Sequence, residues 1–216
     1  MSPGALSVAP DLEPIVALAM IGFQDLRVAD LEPRLDDPLD AVAERLRRGD
    51  APQAGIAAVR TMYRRIGLDP TKRRPSSEAL LRRIRKGQPL PRINALVDVC
   101  NWCSVEFQLP YGLYDRSRVD GDIVLRLGRA GEQYEGIRKD VVHLAGRPTL
   151  ADARGPFGNP SSDSARTMVT AATTDALIVI YAPRAMGSET LGARAAATVS
   201  RVLEFVGGVE VSRRIA

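Results

Sequence analysis

Residues 60–127 decide how this chain is read: RTMYRRIGLDP at 60–70, SSEALLRRIRKGQPLPRINALVDVCNWCSVEFQLPYGLYD at 76–115 and DGDIVLRL at 120–127. Leu80, Leu81 and Ile84 predict a helix capped by Ser76 or Ser77 that runs to Lys86, where Gly87 stops it. Pro91 and Pro110 bound a second helix, expected over 92–107. Asn94, Asp98 and Asn101 fall at i, i+4 and i+7, a spacing that lines up three short polar side chains on one helix face. Such residues are poor helix formers, so polar contacts must hold them, and burial is the expectation. After Pro110 the period changes from helical to alternating. Ile123, Leu125 and Leu127 share one face of a predicted strand opened by Asp120-Gly121.

Outward from this block, the N-terminal side begins with a lead, residues 1–10, expected to lack regular structure. A strand is expected near the end of 15–28, then helices over 38–48 and 52–66. On the C-terminal side, 132–137 and 141–144 are short strand candidates. Residues 145–168, rich in Gly, Pro, Ser and Asp, read as a long loop. ALIVIYA at 176–182 suits a buried strand, 189–206 a closing helix, and 208–211 a last short strand. Helices come first and strands later, which predicts an α+β fold: a mostly antiparallel or mixed sheet core with helices packed around it. The expected organisation is an N-terminal segment, 1–50, packed on a core of 51–216.

Composition narrows the function. The chain has 216 residues, 45% hydrophobic and 26% charged, the balance of a globular domain with an adequate core. No run is long enough to span a bilayer and no export signal is visible, so no membrane partner and a cytoplasmic location are expected. Cys100 and Cys103 form one CxxC without a second ligand pair, and both fall on an apolar helix face with Ile93, Leu96, Val97 and Phe107. Buried thiols are therefore expected, with no metal and no cofactor. The single histidine, His143, lies in a strand-like run and is read as a satisfied or surface residue rather than part of a catalytic triad. Charge is uneven. Residues 60–86 carry ten Lys or Arg against two acids, +8, leaving −4 on the rest. Arg73, Arg74, Arg82, Arg83, Arg85 and Lys86 are the candidate RNA contacts within that segment.

Three short patterns occur in a fixed order. They are Val97-Asp98-Val99-Cys100-Asn101, Pro110-Tyr111-Gly112-Leu113-Tyr114-Asp115 and Gly121-Asp122-Ile123-Val124-Leu125-Arg126. With SSDSARTMVTAATTDALIVIYAP at 161–183, they resemble the editing domain, the third and fourth modules, of the phenylalanyl-tRNA synthetase beta subunit, and free-standing relatives of it more closely still. The resemblance covers about residues 55–205. It implies one compact domain with a pocket made by the 110–115 turn and the later loop. It also implies hydrolysis of a wrong aminoacyl ester on tRNA, and tRNA or aminoacyl-tRNA as partner. Where that family carries a pocket histidine this chain has Gly112, and its acidic position falls on Ala165. Gly112 is expected to enlarge the pocket.

Pro110, Gly112, Tyr114, Asp115, Asp163, Ser164, Arg166 and Thr167 are the candidate substrate contacts, and Pro110–Asp115 is expected to meet Ser161–Thr170 in space. Asp163 is expected to take the amine and Arg166 the carbonyl, with amides of 155–168 as oxyanion donors. Thr170 and Thr173 read as turn and cap residues. Three functions stay open: a trans-acting aminoacyl-tRNA deacylase, a non-catalytic binder of free amino acids or small ligands, and a protein-interaction adaptor. Full synthetase activity is not expected, given the length and the lack of the class-defining motifs.

Overall fold

A computed structural model describes residues 4–137 and 140–216. In chain order the elements are β1 (Leu6–Val8), β2 (Val16–Gln24), α1 (Asp36–Arg47), α2 (Gln53–Arg65), α3 (Ser76–Arg85), α4 (Ala95–Phe107), β3 (Tyr111–Asp115), β4 (Ile123–Leu127), β5 (Gln133–Glu135), β6 (Val141–His143), β7 (Pro148–Asp152), β8 (Gly155–Gly158), β9 (Ala176–Pro183), α5 (Ser188–Phe205) and β10 (Val209–Ile215). The fold is α+β. One antiparallel sheet runs β10-β2-β9-β3, a second mixed sheet runs β1-β4-β7-β8, and β5-β6 form a ribbon.

β2 and β9 are the centre of the first sheet and are buried nearly end to end. A strand covered on both faces shows no alternation, which is why β2 starts at Val16, earlier than its sequence suggests. The lead expected to lack structure contains β1, which pairs in parallel with Ile123–Leu125. Gly4 lets it approach: a Cβ there would lie 2.0 Å from the Gly121 carbonyl oxygen, and Asp122 Oδ1 accepts the Ala5 amide. β10 reaches Ile215, well past 211, because its register along β2 continues to Ala19.

Residues 145–168 are not one long loop. They hold the β7–β8 hairpin, and the Gly and Asp that suggested a loop build its turn. Asp152 accepts the amides of Asp120 and Arg154, and Gly155 adopts φ +109°.

α3 begins after Pro75 without a side-chain cap, so neither Ser76 nor Ser77 caps it, and the Ser76 hydroxyl is buried without a partner among the described residues. α4 begins at Ala95. Asn94 stands just outside it and accepts the Val97 amide as N-cap. The polar stripe is therefore a cap followed by two helical residues. Asp98 is buried, accepting the Ile93 amide at 2.8 Å and Arg92 Nε at 2.7 Å. Ile93, expected on the apolar face, precedes the helix and is exposed. Cys100 and Cys103 are buried free thiols, as their positions predicted. His143 is exposed. No helix among the described residues is long and apolar enough to cross a membrane.

Candidate functional site

β3 is the edge strand of the first sheet. Pairing with β9 in the register Tyr111↔Ile180 and Leu113↔Ile178 turns Tyr111 and Leu113 to one face and Gly112 and Tyr114 to the other. Tyr111 and Leu113 form one wall of a cleft of about 470 Å³. Val97, Cys100, Asn101 and Ser104 of α4 form another, and Asp163 with Met168–Ala171 closes it. The two segments expected to meet do so, and one hydrogen bond ties them: the Tyr114 hydroxyl donates to Asp163 Oδ1 at 2.8 Å.

The tyrosines organise this region. Tyr114 also lies 3.2 Å from the Tyr181 hydroxyl, and its ring meets Phe157 edge-on. Tyr134 donates to the Ser162 carbonyl and accepts from Asn159. Tyr63 donates to the Pro160 carbonyl. Burial pushes all four phenols up, and Asp163's charge adds to this at Tyr114, Tyr134 and Tyr181. They stay protonated and act as donors. Burial also raises the Cys100 thiol, with Cys103 and Asp163 adding, so the cysteine lining the cleft stays a thiol.

Gly112 does not enlarge the pocket. A Cβ on Gly112 would lie 2.1 Å from the Tyr114 hydroxyl, and one on Gly158 would lie 2.2 Å from it. The phenol folds back over both glycines and fills the room that a side chain at Gly112 would take. Sequence reading missed this because i and i+2 share a face only once the strand is known.

The other expected contacts have structural partners. Asp115 accepts the amide and hydroxyl of Ser117 through Oδ1 and the Thr173 hydroxyl through Oδ2. Ser164 accepts the Arg166 amide, and Thr167 is buried against the Phe157 carbonyl. Arg166 does not border the cleft. It forks onto Asp152 at 3.1 and 3.0 Å, donates to the carbonyls of Arg118 and Gly155, and lies over Phe157. The hairpin turn, not a substrate carbonyl, takes its charge. Several of the loop amides expected as oxyanion donors are also occupied. Ser161 and Ser162 donate to Asn159 Oδ1, Ser164 to the Phe157 carbonyl, and Arg166 and Thr167 to Ser164. Thr170 and Thr173 serve the turn, as read from sequence. Pro110 is buried where the Tyr181 amide donates to its carbonyl.

The basic segment divides. Arg74, Arg82 and Arg85 line a groove between α2 and α3, where Arg60 forks onto Glu78 at 2.6 and 2.8 Å. Arg83 donates to the Pro89 carbonyl, and Lys86 is exposed. Arg73 and Arg74 border a different pocket with Lys72 and Arg147. Arg147 gave no signal as a site residue, because it carries no motif; Tyr111 and Asn101 lie inside the sequence patterns but were not singled out as contacts, and only folding brings all three to these walls.

Residues 58–196 match the model of the B3/4 domain family. The phenylalanine–tRNA ligase beta subunit of Bartonella henselae is 34% identical over 64 residues, 29% of this chain and 8% of that protein. That of Paramagnetospirillum magneticum is 37% identical over 65 residues, 30% of this chain and 8% of that protein. The chain thus spans a small fraction of these relatives. A crystal structure of an N-terminal fragment of the phenylalanyl-tRNA synthetase beta subunit from Pyrococcus horikoshii aligns with 100% of this chain and 51% of its own, at TM-score 0.49 and 16% identity.

Proposed function

Given that this chain belongs to the B3/4 domain family, we propose that it binds the aminoacylated end of a tRNA, with the amino acid lodged in the cleft between α4, β3 and residues 163–171. The observation that carries this reading is the Tyr114–Asp163 contact, which fixes a carboxylate at the wall of an otherwise largely apolar cleft. A carboxylate there pairs with an α-ammonium group, while Leu80, Val97, Leu113 and Met168 receive a side chain. Asn101 and Thr170 supply polar edges. The relatives named as phenylalanine–tRNA ligase subunits support an aminoacyl-tRNA as the ligand class.

The chemistry read from this geometry is water attack on the ester, with the terminal hydroxyl of the tRNA assisting. The cleft brings no imidazole, its thiol is protonated, and several of the loop amides already have acceptors. Hydrolysis of tyrosine from tRNA for phenylalanine is therefore expected to be slow, since a positioned acid or base contributes about 10²–10⁴-fold. The same occupied amides favour a second reading, a binder of free amino acids that does no hydrolysis.

Deacylation of a panel of mischarged tRNAs by the parent and Asp163→Ala separates the two. Turnover of one ester that disappears in Asp163→Ala supports the deacylase. Silence across the panel, with an amino acid raising the parent's melting temperature but not the variant's, selects the binder. Turnover or stabilisation unchanged by Asp163→Ala would refute the placement of the amino acid.

A further inference from the structure

Lys72, Arg73 and Arg74 leave the loop after α2, and Arg147 leaves the turn between β6 and β7. They meet around a pocket of about 270 Å³ whose remaining walls are Leu68, Pro148 and Asn159–Ser162. Among the described residues none of these four cations forms an ion pair, although eleven other arginines do. Asp69 holds the Thr71 amide and hydroxyl and attracts Lys72 from one side. Arg147 is half-buried, and both its burial and the charge of Arg73 work against its protonated form. Like charges converging in a concave site without a counter-charge raise the free energy of the empty state. A bound anion relieves it.

The floor is rigid and leads somewhere. Asn159 fixes the Ser161 and Ser162 amides, and Tyr134 fixes Asn159 and the Ser162 carbonyl. Ser161 and Ser162 also border a neck of about 190 Å³ with Ser76, Tyr111, Ile137 and Asp163. Ser76, Tyr111, Ile137 and Asp163 in turn border the amino-acid cleft. Cleft, neck and basic pocket are consecutive spaces along one path, and the unpartnered Ser76 hydroxyl stands at the neck.

We propose that this basic pocket is a phosphate-binding site, occupied by a phosphodiester of the RNA whose aminoacylated end enters the cleft. Two guanidinium forks match phosphate oxygens, and Lys72 adds a point charge. The RNA part rests on the function proposed above; the phosphate site does not.

The test uses the whole chain, the double variant Arg73→Ala/Arg147→Ala and, as comparator, Arg82→Ala/Arg83→Ala/Arg85→Ala. One probe is a short single-stranded RNA with a free 3′ hydroxyl and no amino acid, followed by fluorescence anisotropy across a salt series. The other is pyrophosphate, followed by amide chemical shifts at Ser161 and Ser162. The expected result is RNA binding at least about tenfold weaker in the double variant, with a salt slope lower by about 1.4 for two lost contacts. Pyrophosphate shifts vanish in the double variant and persist in the comparator. RNA binding lost in the comparator but kept in the double variant overturns the pocket and leaves the proposed function standing. Pyrophosphate held through Arg73 and Arg147, with no RNA bound by any form, upholds the phosphate site and overturns the RNA as its source. Neither probe binding the parent overturns both parts.

Discussion

Two sets of arginines in this protein do opposite things. Arg166, Arg92, Arg126 and Arg60 stand at junctions between elements, each aimed at a carboxylate. Arg73, Arg74 and Arg147 gather with Lys72 and, among the described residues, none of them forms an ion pair. The first set closes the structure: Arg166 joins the hairpin turn to the following loop, and Arg92 joins α4 to the first residue of α1 and to the segment before it. The second is an unmet demand for negative charge. Net charge along the sequence does not distinguish them. What distinguishes them is whether folding delivers an acid.

The largest effect expected from this contrast is in Asp152→Ala. The Asp152 side chain is fully buried and receives both forks of Arg166 along with two amides. Removing it leaves the Arg166 guanidinium without its counter-charge and two amides without an acceptor, at a cost of about 3–5 kcal/mol. Urea denaturation measures it. A loss under about 1 kcal/mol would mean that Arg166 is as dispensable as the basic-pocket arginines, and the distinction between the sets would fail.

A smaller effect concerns pH. Arg126 forks onto Glu132 at 2.7 Å and the Arg129 amide adds a third bond. The Arg126 hydrogen bonds come first in holding Glu132 at about 2, below its usual 4.5. A lowered folded-state pKa gives stability that is present above the unfolded value and is lost as pH falls towards the folded one. Glu132→Gln is therefore expected to flatten the melting temperature profile between about pH 4.5 and pH 2. Equal slopes for parent and variant in that window would show the fork to be ineffective.

The smallest effect belongs to the second set. Arg147→Ala, which breaks no ion pair, is expected to change stability by no more than about 0.5 kcal/mol, and a slight gain fits the relief of repulsion from Arg73. A loss of several kcal/mol in the same urea experiment would move Arg147 into the structural set.

The motif residues follow the same division. Asp98, Asp115 and Arg126, prominent in the sequence patterns, hold loops and turns together. Of the five-residue pattern Val97–Asn101, the members that border the cleft are Val97, Cys100 and Asn101. A pattern on the chain marks a residue that the fold needs, and the fold needs hinges as much as it needs a site.

The sequence by itself determined the elements and their order. Apolar spacing placed α2, α3, α5 and β9, the two prolines bounded α4, and helices before strands announced the α+β class, because these depend on neighbours within a few residues. It also brought 110–115 and 161–170 together, through the resemblance rather than through periodicity. Only the tertiary structure decided the rest. It paired β1 with β4, turned a supposed loop into the β7–β8 hairpin, sent Arg166 to Asp152, folded Tyr114 over Gly112, and set Arg147 opposite Arg73. Each of these joins groups whose only local signal is the need for a partner, and the identity of that partner is fixed by which strand lies beside which.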